Sequence, residues 1–286
     1  MKKEADIPKT KGRIHHATSK DGTPVAARVL GKGPHVIFLP AGPGDSELSW
    51  RHVSEHLGNH CTCHLLETRG RGQSDDDPDH SPDRLVEDVL AYAQSIGDKA
   101  GVVGWGSALW ARVATRNPKE IFAAAVYEPG AGEVMAPETG KRMGETFGKV
   151  GKLAAEGKLT EAALTFIENC DMIYSQEDID NGAPENFWNA AAERLPLFMQ
   201  ESKQASGSGP GATSPETLGN IKMPVLILHG DRTSRWFNDS VQHVAGHITN
   251  NKLHLIPGAA HFGPITHAEA VADAMAGFFH KIHVKI

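Results

Sequence analysis

A glycine-rich turn near residue 105 has the layout that holds a nucleophile in many enzymes. The apolar residues 100–103 predict a buried strand and residues 107–116 predict a helix, with glycines at 104 and 106 between them. A strained turn of this kind presents a Ser, Asp or Cys side chain above a sheet, where it attacks the substrate. Because the tip of the turn is glycine here, the chain has the scaffold for covalent catalysis without the attacking atom.

Short apolar runs alternate with helical segments over most of the chain, and this alternation must position the turn. Each run is followed by a turn signal rich in glycine or proline, which is typical of buried strands. The predicted strands cover residues 34–39, 63–67, 101–103, 121–127, 224–230 and 252–256. Alternating strands and helices predict an α/β fold with a mostly parallel central sheet and helices on both faces.

The middle third of the chain departs from this alternation. From residue 131 to about residue 220 only helical patterns occur, such as residues 143–156 and 159–170. We therefore expect a helical cap at 131–222, inserted between a first core part at 13–130 and a second core part at 223–286. A chain of 286 residues is long enough for one large core that carries such an insertion.

The composition argues against several classes of function. A net charge of −6 gives no basic surface for nucleic acid, and no apolar run approaches the ~20 residues of a membrane span. The three cysteines imply no disulfide framework, and neither a metal-ligand cluster nor a phosphate-binding loop is apparent, so no metal or cofactor is expected. We expect a cytoplasmic protein whose partner is a small molecule, with the oligomeric state, a homodimer included, left open.

Four motifs resemble the α/β-hydrolase superfamily, and the resemblance spans nearly the whole chain. They are similar to its oxyanion-hole loop, the turn after its next strand, the helix after its nucleophile and the loop with its catalytic histidine. In chain order they are Pro40-Ala41-Gly42-Pro43-Gly44 with Trp50, Glu67-Thr68-Arg69-Gly70-Arg71-Gly72-Gln73-Ser74, Trp105-Gly106-Ser107-Ala108-Leu109 with Arg116-Asn117-Pro118, and Gly258-Ala259-Ala260-His261-Phe262. The first is similar to the loop of zearalenone-type lactone hydrolases, and the third looks like the helix of haloalkane dehalogenases.

The resemblance implies a base and an acid that orients it. His261 matches the base, which accepts the proton of the nucleophile while a carboxylate holds its tautomer. In the lactone hydrolases and dehalogenases the acid follows the strand after the elbow helix, and Glu128 occupies that place. In much of the superfamily the acid instead follows the strand after the cap, where Thr233 stands at the usual position and Asp231 lies nearby. We favour Glu128 and keep Asp231 as the alternative.

Two glycines compete for the nucleophile position. The local pattern of small residues fits Gly106, whereas the resembled families place the nucleophile fourteen residues before the proline that ends the helix and twenty-four before the acid, which fits Gly104. We take Gly104. The backbone N–H groups of Gly42 and Trp105 are then the expected oxyanion donors, and Ser107 replaces Trp105 in the other register. In either register Ser107 is expected on the helix.

The leading interpretation is an enzyme that hydrolyses an apolar ester or lactone, with glycine at the nucleophile position through natural loss or through an engineered inactivating substitution. Two alternatives stay open. One is a His/Glu dyad that works without a covalent step, as a lyase, decarboxylase or cofactor-free oxygenase, and the other is a non-catalytic protein that binds a small ligand. An apolar pocket is expected between the sheet and the cap. Its candidate lining residues are Trp50, Trp105, Trp110, Phe187, Trp188, Phe198 and Met199.

Overall fold

A computed structural model describes residues 10–170, 172, 186–206 and 211–284. Its strands are β1 (Arg13–Thr18), β2 (Pro24–Gly31), β3 (His35–Phe38), β4 (Thr62–Glu67), β5 (Ala100–Trp105), β6 (Ile121–Tyr127), β7 (Val225–Gly230) and β8 (Asn251–Ile256). They form one eight-stranded sheet in the order β1-β2-β4-β3-β5-β6-β7-β8. The strands from β3 to β8 run parallel, while β1 and β2 add two antiparallel pairings at one edge.

Helices connect the parallel strands. They are α1 (Ser46–Leu57), α2 (Pro82–Ile96), α3 (Leu109–Thr115), α4 (Pro137–Ala155), α5 (Leu159–Asn169), α6 (Phe187–Ala205), α7 (Pro215–Gly219), α8 (Arg235–His247), α9 (Gly263–Thr266) and α10 (Ala268–His283), with a 3₁₀ turn at Gly132–Val134. None of the helices in the described ranges is both long and apolar enough to cross a membrane.

The sheet is covered on both faces, as parallel strands require. Every residue of β6 is buried. In β5, Val102 packs on the face shared with α2 and α3, whereas its neighbour Val103 packs on the face shared with α1 and α10. This alternation follows from the pleat, which points successive side chains to opposite faces. The predicted fold class, a mostly parallel sheet with helices on both faces, is confirmed.

Between β6 and β7 the described residues form helices and no strand. Helix α5 packs against both α4 and α6. Three rings, Phe147, Phe166 and Phe198, one from each helix, meet with centroids 5.1–6.3 Å apart. The helical character predicted for this stretch is therefore observed, and the cap boundaries at 131–222 stay a prediction.

A buried histidine on β4 predicts how stability depends on pH. His64 lies between the Nδ1 atom of His35 and the hydroxyl of Tyr92, each 2.8 Å from one of its ring nitrogens. Burial, reinforced by His35 and more distant positive charges, lowers the pKa of His64 to about 3. Below about pH 6.5 this histidine therefore binds a proton in the unfolded chain but not in the folded protein. Its contribution to the free energy of unfolding is fully present above that pH and is lost as the pH falls toward 3.

We expect His64→Gln to flatten this dependence. A single such group contributes up to about 1.4 kcal/mol per pH unit to the free energy of unfolding between the two pKa values. Urea unfolding at pH 4, 5, 6 and 7 measures the slope for both proteins, and glutamine keeps one polar contact while removing the titration. An identical slope in the variant would show that other groups dominate.

Candidate active site

The turn after β5 is built around Gly106. Its φ is +63°, a left-handed conformation that glycine adopts at little cost and other residues rarely occupy. Its N–H donates to the carbonyl of Tyr127 at 3.1 Å, and its carbonyl accepts from Gly130 at 3.2 Å, which fixes the turn against the end of β6. The strand ends at Trp105 and α3 begins at Leu109, so the sharp bend lies at residues 106–108.

Gly104 is not at the turn, and the register predicted for it is corrected to Gly106. It lies inside β5 opposite Val126. A Cβ built on it would come within 2.8 Å of the Trp110 Cβ, so this glycine allows α3 to approach the strand closely. The count back from Pro118 failed because this chain has two residues fewer between the turn and that proline than the resemblance implied. Ser107 likewise precedes the helix instead of lying on it, since α3 begins two residues later.

His261 faces the turn from the loop after β8. A Cβ built on Gly106 would lie 3.3 Å from both Nε2 and Cε1 of the imidazole. The ring is buried and stacks on Phe237, with centroids 3.9 Å apart and planes 17° apart, and Trp105 lies on another side at 5.7 Å. These contacts hold the ring so that its Nε2 edge points to the residue at position 106.

Glu128 holds the other edge of this histidine. Its Oε2 lies 2.9 Å from Nδ1 of His261 and also accepts from the Thr233 hydroxyl at 2.7 Å, while Oε1 accepts from the Gly230 N–H at 3.0 Å. The carboxyl group is fully buried, and these donors offset the loss of water. Because a carboxylate only accepts, Nδ1 of the neutral ring carries the hydrogen and Nε2 presents its lone pair toward Gly106.

The alternative acid lies elsewhere. Asp231 is exposed and accepts from the N–H of Gly258 at 2.8 Å, which shapes the start of the histidine loop. Thr233, at the place where many relatives of this fold would carry the acid, donates to Glu128. The structure therefore joins His261 to Glu128 and uses the chain after β7 to support that carboxylate.

The loop after β3 approaches the same turn. Gly42 has φ +51° and lines the cavity described below together with Gly106 and Ser107. The expected second donor, Trp105, is the last residue of β5, paired with Tyr127, so with the bend at Gly106 the residue after it is Ser107. The N–H of Ser107 donates to the Trp105 carbonyl at 2.6 Å. The pair of backbone groups at the bend is thus Gly42 and Ser107, and Trp105 contributes its ring.

An apolar cavity of about 210 Å³ opens above Gly106 and His261. Its walls come from the loop after β3, from α4, α5 and α6, and from the start of α8. The larger side chains that line it are Leu48, Trp105, Met143, Phe147, Phe166, Ile167, Met172, Phe187, Phe198, Trp236, Phe237 and Phe262. A cavity of this size and character suits an apolar acyl chain or ring.

Only part of the predicted lining was right. Trp105, Phe187 and Phe198 line the cavity, whereas Trp50 and Trp110 are fully buried in the core. Trp188, predicted to bind substrate, is not among the lining residues and packs edge-on against Phe187 at 5.0 Å. Adjacent residues of a helix point about 100° apart, so the neighbour at 187 faces the cavity instead. Met199 is not among the lining residues either.

Sequence reasoning missed the lining residues on α4 and α5. Met143 and Phe147 are spaced i, i+4, which puts them on one face of α4, but the same spacing is typical of ordinary core packing.

Within the described residues no three His, Cys, Asp or Glu side chains form a group that could hold a metal ion.

Comparisons with known proteins bear on the fold as a whole. The model of the alpha/beta hydrolase family matches residues 36–274. A thermophilic esterase from Thermogutta terrifontis is similar in structure, with a TM-score of 0.76 at 17% identity over 95% of this chain and 100% of the other. An alpha/beta hydrolase from Sphaerobacter thermophilus gives a TM-score of 0.69 at 23% identity over 93% and 100%. N-formylmaleamate deformylase from Pseudomonas putida is 35% identical over 72 residues, which span 24% of this chain and 26% of that relative.

Proposed function

Because the chain belongs to the alpha/beta hydrolase family, we propose that it hydrolyses an apolar ester or lactone with His261 acting as the base on a water molecule. The observation that carries the proposal is the His261–Glu128 pair, buried and joined at 2.9 Å, beside an apolar cavity. The residue that faces Nε2 is Gly106, which offers no side-chain nucleophile. Nε2 of His261 would therefore take a proton from water as the water oxygen attacks the carbonyl carbon. It would then return that proton to the alkoxide oxygen as the bond to the carbonyl carbon breaks.

The backbone N–H groups of Gly42 and Ser107 would donate to the carbonyl oxygen as its negative charge develops, which requires the Ser107 N–H to turn away from the Trp105 carbonyl, 2.6 Å away. Backbone N–H donors placed at this point are worth about 10²–10³ in rate each in comparable enzymes. The base itself is worth about 10²–10⁴. This machinery supports slow hydrolysis, well below that of a relative with a complete nucleophile, base and acid.

The proposal is tested with 4-nitrophenyl acetate, butanoate and hexanoate and with alkyl-substituted δ-lactones. Each buried methylene contributes about 0.8 kcal/mol, so kcat/KM is expected to rise about tenfold from acetate to butanoate. Intact-mass spectrometry during turnover is expected to find no acyl group on the protein. An acyl adduct on Ser107 would overturn direct attack by water. Binding of the lactones without any turnover would favour a ligand-binding protein.

A non-hydrolytic reaction by the same pair is the second candidate. The absence of a side chain at position 106 lets Nε2 approach a substrate C–H bond directly, as proton abstraction requires. This candidate predicts that the protein catalyses exchange of an acidic C–H proton with D₂O in an apolar ketone, while no ester or lactone in the panel is hydrolysed.

A further inference from the structure

A second cavity, of about 220 Å³, adjoins the apolar one. Gly42, Ser107 and Phe198 line both, so the two spaces meet at the elbow. The second cavity is also lined largely by apolar groups, but it differs from the first by including the charged residues Arg71, Arg112 and Glu201 together with His80, and we call it the polar cavity. A ligand that spans both cavities would therefore contact apolar side chains on one side of the reacting carbonyl and charged side chains on the other.

The charges around this polar cavity do not cancel. Both Nη atoms of Arg71 bind the carboxylate of Glu201, so this pair is neutral together. The guanidinium of Arg112 makes no ion pair with any carboxylate of the described residues. Asp83, whose field reaches Arg112, is held by Arg116 at 2.6 Å. One positive charge is left at the cavity wall.

Two buried polar atoms at this cavity also have no hydrogen-bond partner among the described residues, the hydroxyl of Ser107 and Nδ1 of His80. The His80 side chain is only 1% exposed, and its Nε2 is bound to Asp76 at 2.9 Å, while Glu201 lies 3.9 Å from Nδ1. Burial also lowers the pKa of Arg112, a sign that this cation has lost water. Both unpaired atoms have almost no accessible surface, so Arg112 is the group of this cavity that is placed to contact a ligand.

We infer that the substrate carries a carboxylate, and that the polar cavity binds it through the guanidinium of Arg112. This inference rests on the proposed hydrolysis and narrows its substrate class to esters or lactones with an apolar group on one side of the scissile bond and an anionic group on the other. A guanidinium that binds a carboxylate in a partly dehydrated site forms a strong, charge-assisted pair. The neighbouring Arg71–Glu201 pair carries no net charge, so it does not offset the attraction between Arg112 and a carboxylate.

Binding is tested without catalysis by two inert ethers, 4-hexyloxybenzoate and its neutral counterpart 4-hexyloxybenzamide. Isothermal titration is expected to show the carboxylate binding at least about tenfold more tightly, and this advantage is expected to shrink at high salt, which screens the pair. In Arg112→Gln the ratio of the two Kd values is expected to fall to near one, and Arg112→Lys is expected to keep part of it. Lys119→Gln, which removes one positive charge at an exposed position outside the cavity, is the matched control and is expected to keep the whole ratio.

Turnover is tested with the hexanoate esters of 4-hydroxybenzoate and 4-hydroxybenzamide, by their kcat/KM. Equal binding of the two ethers in the native protein, or a ratio unchanged in Arg112→Gln while both proteins unfold at the same temperature, overturns the inference. If the ethers show the carboxylate preference but neither ester is hydrolysed, the binding site stands and the proposed hydrolysis fails. If both esters are hydrolysed equally fast, hydrolysis stands and the carboxylate site fails.

Discussion

Replacement of Gly106 by serine is expected to raise kcat for 4-nitrophenyl butanoate by about 10³-fold or more. In a comparable triad, loss of the nucleophile lowers kcat by about 10⁶-fold, and this chain already has the base His261 and its carboxylate partner Glu128 in place. A Cβ at position 106 would lie 3.3 Å from Nε2 of His261, so the hydroxyl it carries would be within reach of the base. The variant is also expected to carry an acyl group at position 106 during turnover, which intact-mass spectrometry detects.

The gain is expected despite a cost in stability. A side chain at φ +63° is strained by about 1–2 kcal/mol, and the Cβ contact with the His261 ring is tight, so the unfolding temperature should fall. Gly106→Ala is the matched control, since it has the same Cβ and the same strain without the hydroxyl. It is expected to lose stability equally and to gain no activity.

Gly104→Ser separates the two registers. Its Cβ would meet Trp110 at 2.8 Å inside the strand, so this variant is expected to unfold at a lower temperature with no increase in activity. A gain at position 104 and none at position 106 would contradict the geometry of the turn. No gain at either position, in folded proteins, would leave proton abstraction as the better account of the site.

The second large effect concerns the base and its partner. His261→Ala is expected to lower kcat of the native protein by about 10²–10⁴-fold, since it removes the imidazole placed to accept a proton from water at Gly106. Glu128→Gln is expected to cost nearly as much. Its amide cannot accept from both His261 and Thr233 and also from Gly230, so the imidazole is driven toward the wrong tautomer.

The two substitutions together should cost little more than His261→Ala alone, because groups that act as a unit give non-additive effects. Asp231→Asn is the matched control for the acid, since Asp231 is exposed and accepts from the N–H of Gly258 in the turn before the histidine. It is expected to keep activity within about threefold. A loss at Asp231 as large as that at Glu128 would contradict the assignment. Circular dichroism and thermal unfolding check that each variant folds.

The fold could be predicted because burial on both faces of a parallel sheet leaves a strong pattern. The continuous apolar run at β6 and the glycine and proline signals after each strand placed His261 and Glu128 at the same edge of the sheet. The two side chains lie 133 residues apart in the chain and 2.9 Å apart in space. They come together because parallel strands end at the same edge of the sheet, and the order of strands and helices along the sequence already predicted that arrangement.

The exact turn and the cavity walls could not be predicted in the same way. The length of α3 is set by its end near Asn117, at φ +43°, and by packing on β5, neither of which a helical pattern reveals. The turn lies at Gly106, two residues after the position that the count from Pro118 predicted. The cavity walls on α4, α5 and α6 share the apolar spacing of core residues, and only the fold decides which rings face inward. Thr233 gave no signal, since its role depends on a carboxylate from another strand.

The contacts of Glu128 also join the carboxyl ends of two neighbouring strands. Its backbone N–H donates to the Leu228 carbonyl of β7, and its carboxyl group accepts from Gly230 and Thr233 at the end of that strand. Because β6 and β7 are parallel, the segment between them leaves the sheet at this edge and re-enters it at the opposite end of β7, at Val225. The cavity walls on α4, α5 and α6 belong to that segment, whereas His261 and Glu128 are held at the edge of the sheet. Substitutions in those helices are therefore expected to change which substrates bind while the contact between His261 and Glu128 is kept.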